Sequence, residues 1–190
     1  MAYDRKQGGH KVAQADRPDY RVEVGRAEVA VGAPRGFSVL DPKRAATLQA
    51  WVSTLIPAGD QRPDAAEVGA AEYIDATVEQ VPALRPLLTQ AIDRLDAIAG
   101  SKAHQAFAHC DFDGRERLLR ELEVEDDSDA FNMVRDWTYE AYYGHPAVLA
   151  ALETASGWSS TSPTRGSAMK PFDPSPLARV RRLPPRWRKA

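Results

Sequence analysis

The side chains in this sequence that could do chemistry are few and scattered. Its imidazoles are His10, His104, His109 and His145, and its one thiol is Cys110. A lone cysteine excludes both an intrachain disulfide and a cysteine cage for a metal. His104 and His109 stand five apart, a spacing that does not stack them on one helical face. His109-Cys110-Asp111 offers three ligand types in a row, but adjacent residues rarely aim at one ion. The better reading is a surface histidine beside a half-buried cysteine. Carboxylates pair at helical spacing, Asp93 with Asp96 and Glu72 with Asp75, as acid–base catalysis would need. On an acidic helical surface such pairs are the ordinary outcome. The sequence has no glycine-rich phosphate loop, no Gly-x-Ser-x-Gly elbow, no His-Glu-x-x-His and no Glu-x-x-His pair. We therefore expect no catalytic, cofactor-binding or metal-binding residues on this chain.

The unusual chemistry is aromatic. Trp137, Tyr139, Tyr142 and Tyr143 fall within seven residues, followed by His145 and then Trp158. At a hundred degrees per residue, one helix cannot turn all four rings into one core stripe. On one reading two rings are core and two are incidental surface tyrosines. On the other they form an interface patch, since aromatics with polar tips and arginines are enriched at interface centres.

The elements that must carry these residues read as helices. Asp41 can cap a helix with Pro42 in its first turn, carrying Leu48, Trp51, Val52, Leu55 and Ile56 on one face and stopped by Pro57. Asp64 with Glu67 makes a capping box for a second helix, with Val68, Ala71, Ile74, Val78 and Val81 as its stripe and Pro82 as its end. Within it, Ile74 faces the core and Tyr73 and Asp75 flank it at the helix edge. Leu84 to Ile98 is the clearest helix, closed by Gly100. Ser101 can cap a short helix through Ala103, Ala106, Phe107 and Cys110. Asp113 with Glu116 boxes the next, burying Leu118, Leu119 and Leu122. Ser128 or Asp129 caps the aromatic helix, which ends at Gly144, and Pro146 starts a short one ended by Gly157. Strand signal is nearly absent there. The fold class is all-α: a compact bundle of about six short-to-medium helices with extended N- and C-terminal arms.

Charge divides the 190 residues in the same way. Residues 38–161, the helical domain, hold 21 acidic and 10 basic side chains. Residues 162–190 hold 8 basic and one acidic, with six prolines and the aromatic, arginine-rich run Arg179 to Lys189. That arm cannot bury enough apolar surface to offset its own ordering entropy, and it orders only on another surface. Residues 1–37 form an N-terminal arm, extended or disordered, with a short strand or hairpin available at Tyr20 to Val24 and Glu28 to Val31. There is no apolar leader, no twin-arginine leader and no membrane span, so cytoplasmic residence without membrane insertion is expected, with export only if a partner carries the chain.

Several pieces of the sequence resemble the gluconate 2-dehydrogenase subunit 3 family. They are Thr54-Leu55-Ile56-Pro57-Ala58, Ala70-Ala71-Glu72-Tyr73-Ile74-Asp75, Phe131 through Tyr143-Gly144-His145-Pro146, and Gly157-Trp158. Their order and spacing agree with the family across about 100 residues. Where many members carry Gly-Gly-Asn after the proline, this chain has Ala147-Val148-Leu149. The resemblance implies a non-catalytic small subunit. It would bind and stabilise a large flavoprotein of the glucose–methanol–choline oxidoreductase type, with no cofactor here and FAD on the partner, where a sugar, glycoside or polyol is oxidised. The residues expected to hold that partner are Trp137, Tyr139, Tyr142, Tyr143, His145, Trp158, Phe172, Arg179, Arg181, Arg182 and Trp187. The alternative is a helical regulatory or nucleic-acid-associated protein using its basic C-terminal tail, against which the acidic body would repel a phosphate backbone.

Overall fold

The computed structural model describes residues 29–32, 35–59, 62–124, 128–157, 173–175 and 177. Among them are six α-helices and no strand: α1 (Pro42–Leu55), α2 (Ala70–Gln80), α3 (Arg85–Ala103), α4 (Phe112–Val124), α5 (Ser128–Gly144) and α6 (Pro146–Ser156). The all-α expectation holds. The chain groups into two units, Met1–Ala151 and Leu152–Ala190, and the bundle core lies in the first. In the second, Asp173 accepts from the Ser175 N–H at 2.9 Å and from its hydroxyl at 2.7 Å.

Helix α1 starts as its sequence dictates. The Asp41 carboxylate accepts from the N–H groups of Lys43 and Arg44, both at 3.0 Å, and Pro42 occupies the first turn, where its missing N–H costs nothing. It is the central element and packs on α2, α3, α4 and α5. Its inner face buries Leu48, Trp51 and Val52 completely, and Trp51 meets Phe131 of α5 at a ring separation of 6.2 Å. Leu55 and Ile56 are only half-buried.

Three boundaries differ from the sequence reading. Asp64 and Glu67 do form a reciprocal box, with bonds of 2.9 and 2.8 Å between each backbone N–H and the other's carboxylate. The box closes a turn, however, and α2 begins only at Ala70. Gly69 interrupts the helix with φ +77°, left-handed geometry that glycine adopts without a Cβ penalty. Helix α3 runs through Gly100 to Ala103 and ends at His104 with φ +55°. An exposed glycine costs a helix only about 0.5–1 kcal/mol and does not break it. No helix starts at Ser101. Phe107–His109 form a single 3-10 turn, with Phe107 and Cys110 buried. Helix α4 is capped by Asp111 rather than boxed by Asp113 and Glu116, the Asp111 carboxylate taking the Gly114 N–H at 2.8 Å.

The suspect carboxylate pair on α3 is structural. Asp93 holds the Arg44 guanidinium by two bonds of 2.8 and 2.7 Å. Asp96 accepts from Thr47 Oγ1 at 3.0 Å and from the Phe107 N–H at 3.2 Å, tying α1, α3 and the 3-10 turn together.

Candidate functional site

Helix α2 packs most extensively on α5, and the two bring together two of the sequence pieces carrying the resemblance, Ala70 to Asp75 and Phe131 to Gly144. The first contact there is at Asp75. It is completely buried, not at the helix edge as its neighbour Ile74 suggested. Its carboxylate accepts from three consecutive backbone N–H groups: Ser38 at 2.7 Å, Val39 at 3.2 Å and Leu40 at 2.8 Å. The Ser38 hydroxyl adds a fourth donor at 3.0 Å. A buried carboxylate is tolerated only when its lone pairs are filled in this way, and bonds to an ionised acceptor are roughly twice as strong as neutral ones. Asp75 thus fastens the chain entering α1 to the middle of α2.

Tyr73 makes the second contact. Its ring is buried, and the Glu140 carboxylate of α5 stands near its hydroxyl. Burial first, and then Glu140, hold its ionisation well above the ordinary tyrosine range, while the nearby Arg35 guanidinium pulls the other way. Arg35 in turn donates to the Ala30 carbonyl at 2.8 Å.

The third contact is a close approach of side chains to two glycines. A Cβ added at Gly144 would lie 3.3 Å from Val31 Cγ1. One added at Gly32, which has φ +74°, would lie 3.0 Å from the His145 ring. Residues 31–32 are therefore seated on the Gly144-His145-Pro146 corner. His145 heads α6: its Nδ1 accepts the Ala147 N–H at 3.2 Å and its carbonyl the Leu149 N–H at 3.0 Å. Tyr142 is buried and its hydroxyl donates to the Pro63 carbonyl at 3.0 Å, which holds the turn before α2 against the same corner. Burial pushes the Tyr142 phenol upward too.

These placements sort the expected partner-binding residues. Trp137 and Tyr142 are each 1% exposed and belong to the core, so neither offers a ring to another molecule. Tyr139 and Tyr143 are 44% and 48% exposed and meet edge-to-face at 6.1 Å, and Tyr143 also stands edge-on to Tyr142 at 5.2 Å. His145 is half-buried beneath Gly32. Trp158, Phe172, Arg179, Arg181, Arg182 and Trp187 lie outside the described residues. Sequence reasoning passed over Asp75 as a fastening point, and with it Arg35 and Gly32. A signal was present for Asp75: it stands four residues after Ala71 and three before Val78, on the stripe of apolar residues, where a carboxylate needs donors.

A polar cleft of about 260 Å³ adjoins this corner, lined by Arg35, Glu67, Glu72 and His145 among others. Two further clefts lie elsewhere, one of about 150 Å³ beside Lys102 and Leu118 and one of about 230 Å³ beside Leu55 and Phe131. Among the described residues no three histidine, cysteine or acidic side chains are placed to share a metal ion, and no helix is long and apolar enough to cross a membrane.

The described residues thus form a helical body that leaves two aromatic rings, Tyr139 and Tyr143, exposed on α5. A family model described as gluconate 2-dehydrogenase subunit 3 matches residues 42–162, and the chain belongs to that family. No curated protein and no solved structure matches it. The family is named for a subunit of a dehydrogenase complex, and its matched span covers the bundle from the start of α1.

Proposed function

We propose that this chain is the non-catalytic small subunit of a flavin-dependent dehydrogenase. It binds and stabilises a large subunit of the glucose–methanol–choline oxidoreductase type, which carries FAD and oxidises a sugar, glycoside or polyol. The observation that carries this reading is the family match across the whole bundle. The polar network supports it: the buried Asp75 is engaged by backbone groups of the chain itself. The exposed pair Tyr139 and Tyr143 supplies the rigid, amphipathic contact area that anchors interfaces at low entropic cost. Assembly takes place in the cytoplasm, and any export follows from the partner.

The test is co-expression of this chain with the glucose–methanol–choline type flavoprotein of the same organism. The chain alone should purify colourless and without sugar-oxidising activity, and together the two should co-elute with flavin absorbance and activity. A chain that alone binds flavin stoichiometrically, or a flavoprotein equally soluble and active without it and never in complex with it, sinks the reading. Fractionation of the host, comparing cells with and without the flavoprotein, tests the cytoplasmic assignment.

A further inference from the structure

We propose that the polar cleft beside His145 is a binding site for a guanidinium group, the charged end of an arginine side chain or of a small arginine-like molecule. The site stands whether or not the chain is a dehydrogenase subunit. Three stretches far apart in sequence wall the cleft: Gly32 and Arg35 ahead of α1, Glu67 to Glu72 at the start of α2, and His145 after α5. All of them lie in the unit Met1–Ala151. The residue that calls for a ligand is Glu72. Its Oε1 accepts from Gln49 Nε2 at 3.2 Å, a neutral donor at the long end of the range. Its Oε2 is buried, and no protein group among the described residues donates to it. A Cβ added at Gly69, which also lines the cleft, would lie 3.8 Å from that oxygen, so Oε2 stands on the cleft side of α2. A buried carboxylate oxygen needs a donor on its lone pairs, and a charged donor serves it best.

The walls select the chemistry of that donor. Two carboxylates, Glu67 and Glu72, face one guanidinium, Arg35, which is already engaged with the Ala30 carbonyl at 2.8 Å. The balance is acidic and disfavours an anion. A bare metal ion is not served either. His145 Nδ1 is taken by the Ala147 N–H at 3.2 Å, and no three ligating side chains among the described residues are placed to share an ion. What remains is a cation built of N–H donors. Of these a guanidinium fits better than an ammonium. It is flat, carries five donors in a fixed fork that matches a carboxylate, and sheds water more readily on entering a half-enclosed site. A cleft of about 260 Å³ admits such a group with its alkyl stem.

The test is a titration of the full-length, isotope-labelled chain with N-acetyl-arginine methylamide, followed by nuclear magnetic resonance. The control is the citrulline counterpart, which keeps the shape and loses the charge. The arginine probe should shift the amide signals of Gly69 and Glu72 and the ring signals of His145, saturate, and bind about tenfold tighter or more than the citrulline probe. Glu72→Gln, which also keeps the shape and loses the charge, should weaken the arginine probe about tenfold. The comparison of the two probes on the native chain decides the matter even where that variant fails to fold. Equal binding of both probes, shifts that never saturate, shifts confined to other surfaces, or a folded Glu72→Gln chain that binds as the native one does, each overturns the site. Repeating the titration on the complex with the flavoprotein distinguishes the sources. Exclusion of the probe identifies an arginine of the large subunit as the occupant, and retained binding identifies a free guanidinium compound. A chain that forms no complex sinks the subunit reading and leaves the probe result standing, whereas a complex whose chain ignores the probe when free removes this inference alone.

Discussion

The Leu40 N–H donates to Asp75 Oδ1 at 2.8 Å across 35 residues of sequence. With the parallel bonds from Ser38 and Val39, it joins the chain segment before α1 to the centre of α2 through a single carboxylate. Apolar packing holds α1 and α2 side by side, and Asp75 fixes where the chain enters.

Removing that carboxylate leaves buried N–H groups without acceptors. Asp75→Ala should cost about 3 kcal/mol, and Ser38→Ala, which loses one hydroxyl donor and no backbone bond, about 1 kcal/mol or less. Urea unfolding followed by circular dichroism checks both. Equal losses for the two variants would show that the backbone bonds contribute little.

Alkaline titration should report on Tyr73 and Tyr142. Tyr73 and Tyr142 have ionisation raised in the folded state above the unfolded value of about 10. Above that pH the unfolded chain releases protons that the folded chain retains. Their contribution is thus fully present below about pH 10 and is lost as pH rises further. Phenolate absorbance from Tyr73 and Tyr142 should complete only as the chain unfolds. In Tyr73→Phe the fall of stability above about pH 10 should be shallower. A tyrosine titration in one step with no unfolding contradicts this.

Gly114 is set by its neighbour. A Cβ there would fall 2.7 Å from Asp111 Oδ1, so Gly114→Ala must displace the cap of α4. Gly114→Ala and Asp111→Ala should each cost about 1 kcal/mol, and the double variant little more than one of them, since both remove the same bond. Additive losses in thermal melts would assign Gly114 a different role.

Within α5, neighbouring aromatics should respond oppositely. Trp137→Ala empties a core site and should cost about 3–5 kcal/mol, whereas Tyr139→Ala, at the surface, should change stability by about 0.5 kcal/mol or less. Melting curves of the two variants check this without any partner present.

Much of the bundle was legible because its signals are local. Asp41-Pro42 fixes the start of α1, Pro57 and Pro82 bound the turns, and the leucine spacing of α3 and α4 sets their buried faces. The misplaced boundaries at Gly69, Gly100 and Asp111 depend on which glycine takes a left-handed conformation and which carboxylate reaches a free N–H. Several residues in each stretch qualify equally by type. The fastening of the N-terminal segment was hidden for another reason. Asp75 and Leu40, or Gly32 and His145, are joined only by tertiary packing, and the donors at 38–40 are backbone groups that no residue type announces. The aromatic cluster was legible as a whole, but which rings point outward followed only from the packing of α5 on α2.

Asp75 grips peptide groups, which every sequence but a proline supplies. Apart from one serine hydroxyl, the grip is blind to the identity of residues 38–40. As far as this hold is concerned, the side chains at 38–40 are therefore free to drift, and only a proline there would break it.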